Sequence, residues 1–192
     1  MNKYKTRDIV LAALLTALSL IITFSPFKVV IGPFSMTLGS HVPTMVAMFI
    51  NPVVVLFTVI GSCVGFLMAI PGNFIVPLRA ATHIIFALIG WYLINHKVIK
   101  NSIANIVFVA VLTGILHAVA EGIIVGVLTP IMLPNNDKAL STLVWTTIIG
   151  TIVHHAVDAC VTIPVVVALL KAKLVRNFLN NGISEAEMCV KN

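Results

Sequence analysis

Residues 102–128 read SIANIVFVAVLTGILHAVAEGIIVGVL, and Glu121 is the one charged side chain in this stretch. A helix needs about 20 predominantly apolar residues to cross the hydrocarbon core of a bilayer, and this stretch is longer than that. A charged group at membrane depth costs roughly 2.5–3.5 kcal/mol on insertion scales, so it is retained mainly where a ligand, an ion or a partner uses it. The stretch therefore predicts a membrane-spanning helix that contributes to a polar site.

The composition of the whole chain also indicates a membrane protein. Hydrophobic residues make up 59% of the 192 residues and charged residues 9%, and the mean hydropathy is +1.11. Soluble domains carry about 25% charged residues, so the composition predicts a multi-pass membrane protein without a separate soluble domain. The net charge of +6 comes from basic residues grouped at the ends of apolar stretches, and no nucleic-acid motif is present. This pattern favours a membrane-topology signal over nucleic-acid binding.

Prolines, glycines and charges divide the chain into six apolar stretches. The first follows a basic start, as in a signal peptide, but no small-residue cleavage site comes after it, so we predict a retained first helix. The second is short, and we expect it to cross as a short or tilted helix. The stretches run from about Asp8 to Phe24, Gly39 to Ile50, Val53 to Ile70, Val76 to Asn95, Ser102 to Leu128 and Ser141 to Leu170.

The basic residues outside these stretches give the orientation. With six crossings, nine of them fall on the side of the two termini, whereas Lys28 and Lys138 fall on the other. The nine are Lys3, Lys5, Arg7, Lys97, Lys100, Lys171, Lys173, Arg176 and Lys191. By the positive-inside rule the sequence predicts an all-α integral membrane bundle of six transmembrane helices, with both termini cytoplasmic and a single domain over residues 1–192. The long loops Ser25–Leu38 and Thr129–Leu140 then face outward.

Two pairs of a histidine and a carboxylate stand one helical turn apart, His117 with Glu121 and His154 with Asp158. Residues at i and i+4 share a helix face, so each pair could either hold helices together or line a site. Two pairs in neighbouring spans favour the lining of a small-molecule site. Their chemistry leaves open a divalent-metal site, hydrogen bonding to a polar heteroaromatic ring, and a proton relay.

Other polar residues are candidates for the same site. Arg79 and His83 also lie four residues apart, and Arg79 could clamp a carboxylate with its planar fork or reach lipid headgroups. His41 opens the second stretch and could cap a helix or face the cavity. Trp145 could stack on a ring or lie in the interfacial aromatic belt, and Asn73 could be a turn residue alone.

Catalytic and nucleotide-binding motifs are absent from the sequence. It has no phosphate-binding loop of the Gly-x-x-x-x-Gly-Lys-Ser/Thr type, no His-Glu-x-x-His and no serine-nucleophile elbow. A polar site in a membrane bundle that lacks an ATP-binding motif predicts a binding subunit that needs partners, and not an enzyme. We expect no cofactor.

Two segments carry a family resemblance. Residues 40–52, SHVPTMVAMFINP, and residues 78–90, LRAATHIIFALIG, resemble the second and fourth helices of niacin-type substrate-binding S components of energy-coupling factor vitamin transporters. The resemblance covers nearly the whole chain. It implies that a vitamin binds at the outer side under the first external loop, and that a membrane coupling subunit and two cytosolic ATPases are partners. Ala13 and Ala17 match the family's Ala-x-x-x-Ala docking motif.

The resemblance implies a capture subunit for niacin in the bacterial plasma membrane, with Arg79 on the ligand carboxylate. An S component for a pyridoxine-type or hydroxymethylpyrimidine-type ligand is an alternative, and so is a membrane permease or enzyme whose divalent metal is held by His117, Glu121, His154 and Asp158. Cobalt and nickel members of the family carry a histidine directly after the initiator methionine, where this chain has Asn2, so the metal alternative is disfavoured.

Overall fold

The computed structural model describes residues 6–31, 34–95, 103–135 and 138–171. In these residues the helices are α1 (Thr6–Thr23), α2 (Val42–Ala47), α3 (Pro52–Ala69), α4 (Ile75–Ala81), α5 (His83–Asn95), α6 (Ile103–Met132) and α7 (Leu140–Lys171), and a two-stranded sheet is formed by β1 (Lys28–Ile31) and β2 (Phe34–Thr37). Five helical segments here are long and apolar enough to cross a membrane, with α4 and α5 counted as one. The predicted all-α membrane bundle is confirmed. Asn2, Lys3, Lys5, Lys97, Lys100, Lys173, Arg176 and Lys191 lie outside the described residues.

Local sequence sets the ends of α3. The Asn51 side chain accepts hydrogen bonds from the backbone N–H groups of Val53 (3.0 Å) and Val54 (2.9 Å), and Pro52 stands at the first helical position, where its missing N–H costs nothing. The helix ends before Gly72, which adopts a positive φ of 85° that side chains with a Cβ rarely adopt. This turn leads directly into α4.

Helices α1 and α3 run parallel to each other. A Cβ placed on Gly61 would lie 2.7 Å from Cγ2 of Thr16, and one on Gly65 would lie 3.2 Å from the Cα of Leu20, so later residues of α3 meet later residues of α1. Close approach of two helix backbones at small residues is the usual form of packing in membranes. Because α1 and α3 point the same way, residues 24–51 must return from the end of α1 to the start of α3. We call the end of the bundle where α1 begins the base, and the opposite end the top.

The returning segment differs from the predicted second helix. Only the six residues of α2 are helical within the predicted stretch from Gly39 to Ile50, about 9 Å of rise, so a helix across the membrane is not formed there. Part of the predicted outer loop is instead an antiparallel hairpin, in which Lys28 pairs with Thr37. The β-branched run at residues 29–31 suits a strand. The second crossing is therefore made by β2 and α2 together.

The remaining helices alternate in direction. A Cβ on Gly90 of α5 would meet Thr113 of α6, and the rings of His83 and His117 also pair across these helices, which makes them antiparallel. Gly114 of α6 faces His155 of α7, and Gly122 of α6 faces Ile148 of α7, so these two helices are also antiparallel. The chain consequently crosses the bundle six times, and the beginning of α1 and the end of α7 lie at the base.

Two details depart from the predicted boundaries. The fifth stretch continues as helix to Met132, four residues further than expected, and Pro130 lies within this last turn. A proline near a helix end disrupts few hydrogen bonds, because the last carbonyl groups lack intrahelical donors in any case. The predicted fourth helix is divided at Thr82, whose N–H bonds the carbonyl oxygen of Arg79 (2.9 Å) in a tighter turn. This break lies between Arg79 and His83.

Candidate functional site: a buried histidine cluster

Glu121 is the centre of the first polar network. Its Oε2 accepts a hydrogen bond of 2.6 Å from Nη2 of Arg79 and another from the hydroxyl of Thr151. Its Oε1 lies 3.2 Å from Nε2 of His117 and 3.7 Å from Nε2 of His83. These side chains come from α4, α5, α6 and α7, and all are buried. A carboxylate in such a place is tolerated because it is paired and hydrogen-bonded.

Asp158 is the centre of the second network. Its Oδ1 accepts the backbone N–H of Gly39 (2.7 Å), and its Oδ2 accepts the backbone N–H of His41 (3.0 Å) and lies 3.0 Å from Nδ1 of the same residue. Nε2 of His154 is 3.2 Å from Oδ2 and 3.0 Å from the carbonyl oxygen of Thr37. The network therefore joins α7 to the returning segment.

His41 connects the two networks. Its ring centroid lies 4.7 Å from that of His83, 4.6 Å from that of His117 and 4.5 Å from that of His154, and 5.8 Å from that of His155. These five residues, which we call the histidine cluster, are between 1% and 4% exposed. Five imidazoles in contact at the centre of a membrane bundle bring several donors and acceptors to one place.

The returning segment closes the site. The carbonyl oxygen of Ser35 accepts a hydrogen bond of 3.4 Å from Nη2 of Arg79, and Thr37 and Gly39 make the two backbone contacts described above. Gly39 holds a positive φ of 82°, which places its N–H toward the carboxylate without the strain that a Cβ would add. A ligand of the cluster must displace part of this segment, because the side chains beneath it are almost fully buried.

His155 belongs to the cluster but was not among the predicted site residues. Its Nδ1 lies 3.3 Å from Nδ1 of His117, and its Nε2 lies 3.3 Å from the hydroxyl of Thr113. The sequence prediction selected His154 because it stands four residues before Asp158, and His155 does not have that spacing. Both face the interior because α7 contacts α6 on one side and the returning segment on the other. The signal in the sequence for a second histidine at the site was the direct succession of His154 and His155.

Two predicted residues lie away from the cluster. Trp145 is 61% exposed on α7, and whether it stacks on a ligand or lies in the interfacial belt stays a prediction. Asn73 is half-buried in the turn after α3, where its backbone N–H bonds the carbonyl oxygen of Ile70 (3.3 Å). Beside Trp145 runs a shallow groove lined by Ser141, Thr142, Thr146, Ile149 and Gly150.

Ala13 and Ala17 lie on α1, one turn apart on the same face. Both are exposed, and α1 is the least buried of the five long helical segments described. A stripe of small side chains is therefore accessible on the outside of the bundle.

The structure does not assemble the predicted metal ligands His117, Glu121, His154 and Asp158 into one site. Two other groups of the described residues bring one donor atom each to within 4.8 Å of the others. They are His41 with His83 and His117, and His41 with His154 and Asp158.

Comparison with known proteins finds a relative among transporters. The Niacin transporter NiaX of Lactococcus lactis subsp. cremoris (strain MG1363) is 38% identical over 127 residues, which are 61% of this chain and 53% of the relative. The chain is similar to a niacin transporter. It spans about half the length of that relative. No family model matches the sequence, and no solved structure matches it.

This match confirms the resemblance to niacin-type proteins that the sequence suggested. Together with the five apolar helical segments, it identifies the chain as a multi-pass protein of the cell membrane. The relative is named as a transporter, in agreement with the prediction that the chain is not an enzyme.

Proposed function

We propose that the chain is the substrate-capture subunit of an ATP-driven vitamin importer of the energy-coupling factor type, and that its ligand is niacin. The identity to a protein named as a niacin transporter supports the vitamin. The observation that carries the proposal is a buried arginine among imidazoles: Arg79 is 3% exposed, and its guanidinium lies beside Glu121, to which His83 and His117 also turn.

The chemistry of nicotinate suits this set of side chains. Its carboxylate is a partner for the planar fork of Arg79, and its pyridine nitrogen can accept a hydrogen bond from an imidazole N–H. A guanidinium carries five N–H donors, so Arg79 can bond a ligand carboxylate and Glu121 together. Glu121 in turn fixes the direction of the guanidinium, because it accepts the hydrogen bond from Nη2 at 2.6 Å. His83, one turn further along the chain, is the nearest candidate donor for the ring nitrogen.

Access to this position involves the returning segment. Ser35 and Thr37 of β2 bond the cluster through backbone atoms alone, so this part of the segment can leave and return while the contact between His41 and Asp158 is kept. Each of these bonds contributes a modest net amount, about 0.5–1.5 kcal/mol for a typical case and more where a charge is involved. We infer that the segment opens to admit the vitamin and closes over it.

Partners are part of the proposal, because the sequence contains no nucleotide-binding loop with which to use ATP. A membrane coupling subunit would contact α1 at Ala13 and Ala17, whose small exposed side chains permit close helix approach. Two cytosolic ATPases would supply the energy. Both termini are proposed to lie in the cytoplasm.

Binding of labelled nicotinate to the purified full chain tests the proposed function. We expect saturable binding, and we expect Arg79→Ala to weaken it by about 100-fold, since a charge-assisted bidentate contact is worth roughly 3 kcal/mol. Arg79→Lys should recover part of this loss, because it restores the charge but not the fork. Arg7→Ala, which removes a partly exposed arginine at the base, is the matched control and should bind as the parent does.

The result that would contradict the role of Arg79 is unchanged affinity in a folded Arg79→Ala protein. Binding of nicotinamide or of another vitamin in place of nicotinate would overturn the ligand but leave the capture role. No binding of any vitamin by folded protein would overturn the function.

A further inference from the structure

Three imidazoles of the histidine cluster form a nearly equilateral group. The ring centroids of His41, His83 and His117 are 4.6–4.7 Å apart in each pair, and each pair meets edge to face. They come from three separate places in the chain: the residue before α2, the first residue of α5 and the middle of α6. Each is at most 2% exposed. The fold thus brings three distant histidines together out of contact with water.

A carboxylate lies near each ring, and the one beside His41 is hydrogen-bonded to it. Asp158 lies 3.0 Å from Nδ1 of His41, and Glu121 lies 3.2 Å from Nε2 of His117 and 3.7 Å from Nε2 of His83. In metal sites a histidine ligand commonly donates its second ring N–H to a carboxylate, which fixes the tautomer and makes the other nitrogen a better ligand. Nδ1 of His83 and Nε2 of His117 are buried and have no hydrogen-bond partner.

The charge of this region favours a cation. Among the described side chains of the two networks, Arg79 contributes +1, and Glu121 and Asp158 contribute −1 each, so the sum with neutral imidazoles is −1. An uncompensated charge in the membrane interior is costly. This net negative charge attracts a divalent cation, which would change the sum from −1 to +1.

We propose that His41, His83 and His117 bind one divalent cation of the zinc, cobalt or nickel class. Imidazole nitrogen is a preferred ligand of these ions, and three such ligands leave a fourth tetrahedral position open for water or another ligand. Ligands at the usual 2.0–2.1 Å from a tetrahedral ion are about 3.3 Å from each other, so donor atoms already within 4.8 Å need small ring rotations to close on it. The site goes beyond vitamin capture but shares His83 with it: His83 is a ligand while the cation is bound, and it can donate to the ring nitrogen of the vitamin once the cation is removed.

The second group of possible ligands is less suitable. In that group Asp158 already accepts two backbone N–H groups, from Gly39 and His41, and His154 already contacts the carbonyl oxygen of Thr37. A metal there would compete with the bonds that hold the returning segment in place. A cation held by the three-histidine group leaves the bonds from Gly39 and His41 to Asp158, and from His154 to Thr37, in place.

Metal titration of the purified full chain, stripped with a chelator and free of any polyhistidine tag, tests this inference. We expect one equivalent of Zn²⁺ to bind by calorimetry, and one equivalent of Co²⁺ to give the intense visible absorption of a tetrahedral site. His83→Ala and His117→Ala should each weaken Zn²⁺ binding by about 100-fold or more, since each removes one ligand of three. His83→Gln, which keeps a polar side chain of similar length, should show the same loss while folding is verified by the melting temperature.

Two variants control for other donors on the same chain. Cys160→Ser removes an exposed thiol, and His96→Ala removes the sixth histidine of the sequence, which lies outside the described residues; both should bind Zn²⁺ as the parent does. Absence of binding, or binding that survives in folded His83→Gln protein, would overturn the inference. So would loss of binding in either control. Nicotinate binding measured with chelator present tests the vitamin separately, so the two proposals can fail independently.

Discussion

At the scale of single residues, Asp158 fastens the returning segment to the bundle. Its carboxylate accepts the backbone N–H groups of Gly39 and His41 and contacts the ring of His41. Removal of a buried charge leaves these donors without an acceptor, and breaking a buried ion pair in this way typically costs about 3–5 kcal/mol. We therefore expect Asp158→Ala to lower the melting temperature in detergent strongly, and Asp158→Asn to lower it less, because the amide oxygen still accepts one N–H.

Asp8 provides the matched control for that measurement. It is also paired at a short distance, 3.1 Å from Nε of Arg7, but both side chains are partly exposed. Exposed pairs contribute about 0–1 kcal/mol, so Asp8→Asn should leave the melting temperature nearly unchanged. Equal effects of Asp8→Asn and Asp158→Ala would show that Asp158 does not hold the segment.

At the scale of secondary structure, the contact between α1 and α3 depends on glycine. A Cβ on Gly61 would lie 2.7 Å from Cγ2 and 2.8 Å from the carbonyl oxygen of Thr16, and the backbone oxygen cannot rotate away. We expect Gly61→Ala to push the two helices apart and to destabilise the protein by about 1–3 kcal/mol, as overpacking generally does. Thermal unfolding in detergent measures this.

Gly126 of α6 allows the same substitution where space exists. Its added Cβ would meet Cγ2 of Val144 at 3.5 Å, an ordinary van der Waals contact. Alanine is also the better helix former, by about 1 kcal/mol, so Gly126→Ala should be neutral or slightly stabilising. A Gly61→Ala protein as stable as the Gly126→Ala protein would contradict the close packing of α1 on α3.

The sequence predicts the long helices well because a bilayer requires every backbone group to be bonded within its own segment, which leaves few alternatives for 18 or more apolar residues. It does not predict the hairpin of β1 and β2. Four-residue strands give too short a pattern to distinguish from a loop, and β2 is held by backbone bonds to helices that are distant in sequence. The second predicted stretch is shorter than the roughly 20 residues that a membrane-spanning helix needs, and the structure has no such helix there.

For the polar residues, too, the sequence predicts contacts within one helix and does not predict contacts between distant segments. Spacing of four predicts that His117 shares a face with Glu121, and the structure has them in contact. Spacing cannot show that Glu121 also pairs with Arg79, 42 residues away, because that contact depends on how α4 packs against α6. His41 is the clearest case: the sequence leaves open whether it caps a helix or faces the cavity, and its place between the two networks follows from the path of the returning segment.

At the scale of the whole molecule, the parallel packing of α1 and α3 requires an even number of crossings, although the described residues contain five long helical segments. Both Thr6 and Lys171 then lie at the base, and the loop that holds Lys138 lies at the top. Five crossings would instead place Thr6 and Lys171 on opposite sides. The two topologies can be separated by the side from which single cysteines are labelled.

Labelling of intact cells with a membrane-impermeant maleimide decides between them, in a background where Cys63, Cys160 and Cys189 are serine. From the positive-inside rule we expect the base, where Arg7 and Lys171 lie, to face the cytoplasm. We expect Lys138→Cys to be labelled in intact cells, and Thr6→Cys and Lys171→Cys to be labelled only after the cells are permeabilised. Labelling of Thr6→Cys and Lys171→Cys from opposite sides would exclude the crossing by β2 and α2. Labelling of both from outside would keep six crossings but reverse the orientation, and the vitamin would then have to enter from the other end of the bundle.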